Sequence, residues 1–205
     1  MTASNGPSQA RRQAGFSKGA FRCSVSSCGR FKGLSRKGQG YVPTGRFYRL
    51  KLDRVALKAR VRFVLELMCE FEREVALRFS DAPESESLNA SYRKRNTPTD
   101  VLSFPAAEEN LRMHKMGLPL GQVRRLGDLC LCVPVCQLQA KENRQTLAAE
   151  LERMMVHGLC HLRGYDHERS IAAQIVMEAL ELSVRRSLIT EFGKATWAEV
   201  SECRP

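Results

Sequence analysis

Apolar residues recur along this chain at two periods, and the switching between them lays out its elements. Arg46 to Leu52 alternates polar and apolar side chains, the two-residue period of a strand with one buried face. Asp53 then stands where a helix cap belongs, ahead of Leu57, Val61, Val64, Met68 and Phe71, which recur four and three residues apart as a stripe for the core. Glu74 to Phe79 reads as a second strand, Pro83 to Arg93 as a short helix, Val101 to Phe104 as a third strand and Leu126 to Val133 as a fourth. Pro134 suits the first turn of another helix. Leu147, Leu151, Met154, Met155, Gly158 and Leu162 form a broad apolar face at helical spacing. Val156, Leu159 and Cys160 carry it around the last two turns, so this helix is expected to be buried. Ile171, Ile175, Ala179 and Leu182 mark a C-terminal helix expected to cover the core. Glu108 to Gln122 has no clear period and reads as a loop with His114 on its surface. The alternation predicts an α+β domain, and 205 residues suffice for one sizeable core.

The buried helix ends in chemistry. His157, His161 and His167 fall in the run HGLCHLRGYDH, spaced H-x3-H-x5-H. Two histidines four residues apart on a helix point the same way. Gly164 can end the helix in a left-handed conformation and turn the chain back, bringing His167 in from a loop. Three ligands leave one tetrahedral position open, which suits a hydrolytic metal site better than a structural one. Metzincin proteases share this spacing, but there a glutamate serving as general base follows the first histidine. Here that residue is Gly158, which argues against peptide hydrolysis. Asp166 and Glu168 flank His167, and either could orient a ligand through its second ring nitrogen or cap a helix.

Upstream, NASYRKRNTPTDVLSFP sets Arg93, Lys94 and Arg95 before a Pro98 turn and a strand. A guanidinium there can clamp a phosphate bidentately. Together YR-x3-TPTDVLSFP, LGDLCLC and HGLCHLRGYDHE resemble the YbeY family of endoribonucleases, over roughly residues 46 to 190. The resemblance implies an α+β fold, a small mixed sheet of about four strands packed with helices, including a zincin-like metal-binding helix. It implies that His157, His161 and His167 bind one Zn2+ ion. Arg93 would be the functional arginine on the RNA backbone, with Lys94 and Arg95 beside it as substrate-binding residues. The expected activity is zinc-dependent, single-strand-specific endoribonuclease action in small-subunit rRNA maturation and ribosome quality control. The expected partners are ribosomal RNA, the small ribosomal subunit and one of its proteins, with no membrane. Asn96, where bacterial members commonly carry aspartate, and Cys160, where they carry an aliphatic residue, look like eukaryotic organelle members. The alternative is a non-catalytic small-subunit assembly factor with a structural zinc.

Charge divides the chain. Residues 1 to 52 hold eleven Lys and Arg and no Asp or Glu, so the whole excess of +11 sits in the first quarter. Residues 1–45 therefore read as an extension, either a transit peptide cleaved before Arg46 or a disordered basic arm that binds RNA. Residues 46–190 form the catalytic domain and 191–205 a tail. The mitochondrial matrix is the expected location, with the plastid stroma as the alternative. RNA binding by the remainder must rely on local cations, of which Arg93, Lys94, Arg95, Arg124, Arg125 and Arg163 are the candidates. The eight cysteines lack metal or disulfide spacing; Cys130 and Cys132 fit one face of a buried strand, and Cys160 is not expected to be a ligand.

Overall fold

The computed structural model describes residues 22–38, 40–70, 73–106 and 125–204. Phe71, Arg124, the expected loop at 108–122 with His114, and residues 1–21 of the extension lie outside these described residues. Strands β1 (Arg22–Ser27), β2 (Arg30–Lys37) and β3 (Gly40–Leu52) lead into helix α1 (Arg54–Leu67). Next come β4 (Glu74–Ser80), α2 (Ala82–Arg93), β5 (Val101–Pro105) and β6 (Arg125–Cys132). The chain continues through α3 (Val133–Glu142), α4 (Leu147–Leu162), α5 (Ile171–Phe192) and β7 (Ala198–Cys203). A four-stranded sheet runs in the order β1-β4-β6-β5, parallel except for β5, which is antiparallel to β6. A second, antiparallel sheet has the order β2-β3-β7. The expected α+β class and mixed four-stranded sheet are thus present.

Local signals placed most elements correctly. Asp53 Oδ1 accepts from the backbone N–H groups of Val55 and Ala56, each at 3.0 Å, starting α1. Leu57, Val61, Val64 and Met68 all face the core. They pack with α4 residues Leu151, Met155 and Leu159 against Val75, Leu77, Phe79, Leu129 and Leu131 of the mixed sheet.

Four expectations are corrected. Residues 22–45 are not a structureless extension, because β1, β2 and the start of β3 lie there and bury Cys23 and Phe31. A cut just before Arg46 would divide β3. The expected first strand, Arg46 to Leu52, exists but belongs to the second sheet, and β1 takes the mixed-sheet edge beside β4. The expected tail contributes β7, which closes the second sheet. The short runs RCSVSS and AEVSEC alternate too weakly in hydrophobicity to announce strands, and pairing partners supply what their own pattern lacks. In α5 the helix is as expected but its face is not. Ile171, Ile175, Ala179 and Leu182 are exposed, and Met177, Val184 and Leu188 make the core contact.

A buried ion pair fixes α4 among its neighbours. Arg60 of α1 bonds Glu152 of α4 at 2.6 Å, with side chains only 5% and 7% exposed. Its other amino group donates to the carbonyls of Phe192, Gly193 and Lys194 at the end of α5, at 3.2, 3.0 and 3.3 Å. One guanidinium therefore neutralises a carboxylate and satisfies helix-end carbonyls that otherwise lack partners. Arg60→Ala should lose about 3–5 kcal/mol in denaturant unfolding, because Glu152 would stay buried and unpaired. The double change Arg60→Met with Glu152→Leu should recover much of that loss.

Candidate metal centre

Helix α4 carries two of the three histidines, and its geometry follows from its sequence. Thr146 Oγ1 accepts from the backbone N–H of Ala149 at 3.1 Å, starting the helix. Gly164, at φ +95°, turns the chain after Arg163, and its N–H donates to the His161 carbonyl at 2.9 Å. That turn brings His167 back over the helix end. His157 Nε2 and His161 Nε2 are 3.1 Å apart, and the rings of His157 and His161 lie 5.3 and 5.2 Å from that of His167. One donor atom from each of the three residues lies within 4.8 Å of the others, so the cluster could hold a metal ion. Two imidazole nitrogens that close repel if both present lone pairs, and a shared cation removes the conflict.

The orienting carboxylate comes from an unexpected place. Glu181 of α5 lies with Oε1 2.8 Å from His157 Nδ1. With the carboxylate ionised, Nδ1 carries the proton and donates it, leaving Nε2 free to face the cluster. Asp166, one of the two acids expected here, instead accepts from the Glu168 backbone N–H at 3.0 Å and from Arg169 Nε at 3.2 Å, and so shapes the turn before His167. Glu168 contributes its backbone to the same turn. Sequence spacing could not find Glu181, because it lies on another helix.

Gly158 explains why no acid follows His157. A Cβ there would stand 2.7 Å from Leu129 Cδ2 and 3.2 Å from Ser103 Oγ, so α4 rests directly on β5 and β6. The position that holds a glutamate in metzincins faces the sheet, with no room for a side chain. Gly127 of the LGD run serves the same closeness at the other end. It sits at φ +151°, and a Cβ would stand 2.4 Å from the Phe104 carbonyl oxygen.

Arg93 arrives from the last turn of α2, held by polar groups on the inner side of that helix. Asn89 Nδ2 donates to the Thr97 carbonyl at 2.7 Å, and Ser85 Oγ donates to that of Thr99 at 2.9 Å. Asp100 completes the turn by accepting from the Val101 backbone N–H at 2.8 Å and from Gln139 Nε2 at 3.0 Å. The TPTD run is thus a fastening between α2 and β5. Burial, then the charges of His157, His167 and Arg93, push the His161 pKa down, while Asp166 opposes them. The Arg93 side chain is exposed, with no hydrogen bond or ion pair among the described residues.

The neighbouring cations are mostly engaged. Lys94, in the left-handed conformation at φ 60°, donates to the Ser91 carbonyl at 3.0 Å. Arg95 is exposed. Arg163 pairs with Glu70, and Arg125 pairs with Asp128 at 2.6 Å. Cys160 is fully buried and desolvation pushes its thiol up to about 12, which fits a packing residue.

Two outcomes test this geometry. Glu181→Gln should weaken metal binding by about 10- to 100-fold in a chelator competition while leaving the fold intact. Gly158→Glu should lower the melting temperature sharply and yield no peptidase, since an added side chain forces α4 off the sheet; a stable variant that cleaves casein would contradict the packing argument.

The family model described as endoribonuclease YbeY matches residues 48–188. The chain is similar to the endoribonuclease YbeY of Acinetobacter baylyi, with 36% identity over 140 residues, covering 68% of this chain and 85% of that protein. It is also similar to the endoribonuclease YbeY of Stenotrophomonas maltophilia strain K279a, with 40% identity over 139 residues, covering 67% and 74%. A solution structure of TM1509 from Thermotoga maritima aligns with a TM-score of 0.49 and 22% identity over 84% of this chain and 91% of that one. By the family model over residues 48–188 and the identity to these two relatives, the chain belongs to the endoribonuclease YbeY family.

Proposed function

We propose that this protein is a zinc-dependent, single-strand-specific endoribonuclease that matures small-subunit ribosomal RNA and takes part in ribosome quality control. The observation that carries this reading is the convergence of three histidine donors within 4.8 Å, and the exposed Arg93 at the end of α2 is the proposed phosphate contact. Three imidazoles, with no thiolate or fourth protein ligand in the cluster among the described residues, suit zinc with an open position. When bound, the ion supplies positive charge beside the scissile phosphate and acidity to a neighbouring water. His157, His161 and His167 hold it, and Glu181 fixes the His157 ring. Arg93 donates to the phosphate oxygens as charge builds on them, and Lys94 and Arg95 beside it are the proposed contacts to the flanking backbone. The small ribosomal subunit and one of its proteins are the proposed partners. The acid-free residues 1–21 ahead of β1, with Arg11, Arg12 and Lys18, support an organelle address, the mitochondrial matrix ahead of the plastid stroma.

The test is cleavage of a small-subunit rRNA 3′-end precursor by the full chain, with metal content measured on the same samples. His157→Ala should lose both metal and cutting. Arg93→Ala should keep its metal and lose roughly 10²- to 10³-fold in kcat at saturating RNA, the scale for removing one charge-stabilising donor. RNA left intact by protein holding one zinc would instead point to an assembly factor.

A further inference from the structure

The outer face of the β2-β3-β7 sheet carries a row of cations. Residues 22 to 51 contain eight Lys and Arg and no Asp or Glu, and folding turns that composition into a surface. In β2 Phe31 is buried while Arg30 and Lys32, on either side of it, are exposed. In β3 Leu50 is buried while Arg49 and Lys51 are exposed. Pairing sets Arg30 opposite Arg49 and Lys32 opposite Phe47 on the same outer face. Phe47 gathers these charges, with the Arg30 guanidinium 4.5 Å and the Lys32 ammonium 5.5 Å from its ring centroid.

Neutralisation is confined to the margins. Glu199 of β7 stands opposite Lys51, and Glu202 pairs loosely with Arg46 at 3.8 Å. Among the described residues no carboxylate forms an ion pair with Arg30, Lys32 or Arg49. Arg30 donates to the Arg204 carbonyl at 2.7 Å, which fixes its position without cancelling its charge. Like charges directly opposite on a sheet destabilise it. A row held together by an aromatic ring, with a repulsive pair at its centre, suits a polyanion lying across the strands.

We propose that Arg30, Lys32, Arg49 and Lys51 form a second RNA contact, gripping the phosphate backbone away from the Arg93 site. The choice of RNA as the polyanion rests on the endoribonuclease reading. Strand β2 and the first part of β3 precede residues 48–188, so Arg30 and Lys32 lie outside the stretch that matches the family while Arg49 and Lys51 lie at its start.

The experiment measures binding of the full chain to a labelled single-stranded RNA of about 20 nucleotides across a series of KCl concentrations, by fluorescence anisotropy, with cleavage followed on the same samples. A variant combining Arg30→Gln, Lys32→Gln, Arg49→Gln and Lys51→Gln should bind more weakly, and the slope of log affinity against log salt should fall by about 2–3, at roughly 0.7 for each phosphate no longer neutralised. The single change Arg49→Glu, which places an acid opposite Arg30, should weaken binding while its melting temperature at low salt holds or rises. An unchanged slope and affinity in either folded variant overturns the proposal, as does loss of binding to phosphatidylserine vesicles with RNA binding intact. Salt-sensitive binding through these residues without any cleavage would keep the surface and remove the ribonuclease reading. Cleavage with an unaltered slope would do the reverse.

Discussion

The contact between helix α4 and strands β5 and β6 at Gly158 is the constraint from which the site follows. With no Cβ at that position the helix settles against Leu129 and Ser103, and its neighbour His157 is carried to a fixed height above the sheet. His161 then stands one turn further on, at the end of a helix too well buried to roll. Arg60 holds the same helix from the other direction through Glu152 and ties it to the end of α5. Helix α5 in turn supplies Glu181 to His157. Packing, ion pairing and ligand orientation thus act on one rigid element, which is how three imidazoles can be kept at a spacing they would not choose alone.

The site is legible in the sequence as far as its geometry is local. His157 and His161 share a helix, His167 follows one turn of chain later, and Gly164 marks the turn, so spacing alone brings the three together. Arg93 is legible as the last residue of a short helix beside a proline turn. Glu181 is not, because it reaches His157 from another helix and nothing in its own surroundings marks it. Asp166 and Glu168 are closer in sequence, yet their turn uses Asp166 as an acceptor for backbone and Arg169.

The fold divides along a similar line. Helices α1 and α4 announce their buried faces because most of their apolar residues meet the core. In α5 apolar residues lie all around the helix, so periodicity alone cannot choose between the exposed Ile175 and the buried Met177. The N-terminal strands are masked by an acid-free composition that resembles a targeting segment, while Cys23 and Phe31 are too sparse to form a pattern. The meaning of Gly158 is legible in sequence only as an absence of glutamate; the packing of α4 gives it a positive role.

The second sheet also determines when the fold can be finished. Phe47 pairs with Cys203, so β3 waits for a strand roughly 150 residues further along the chain, the kind of distant pairing that slows folding. During synthesis the histidine helix is complete before β7 exists, whereas the end of α5, where Arg60 anchors, is followed directly by the segment leading into β7. The second sheet is thus completed last, and β7 acts as the latch that closes it.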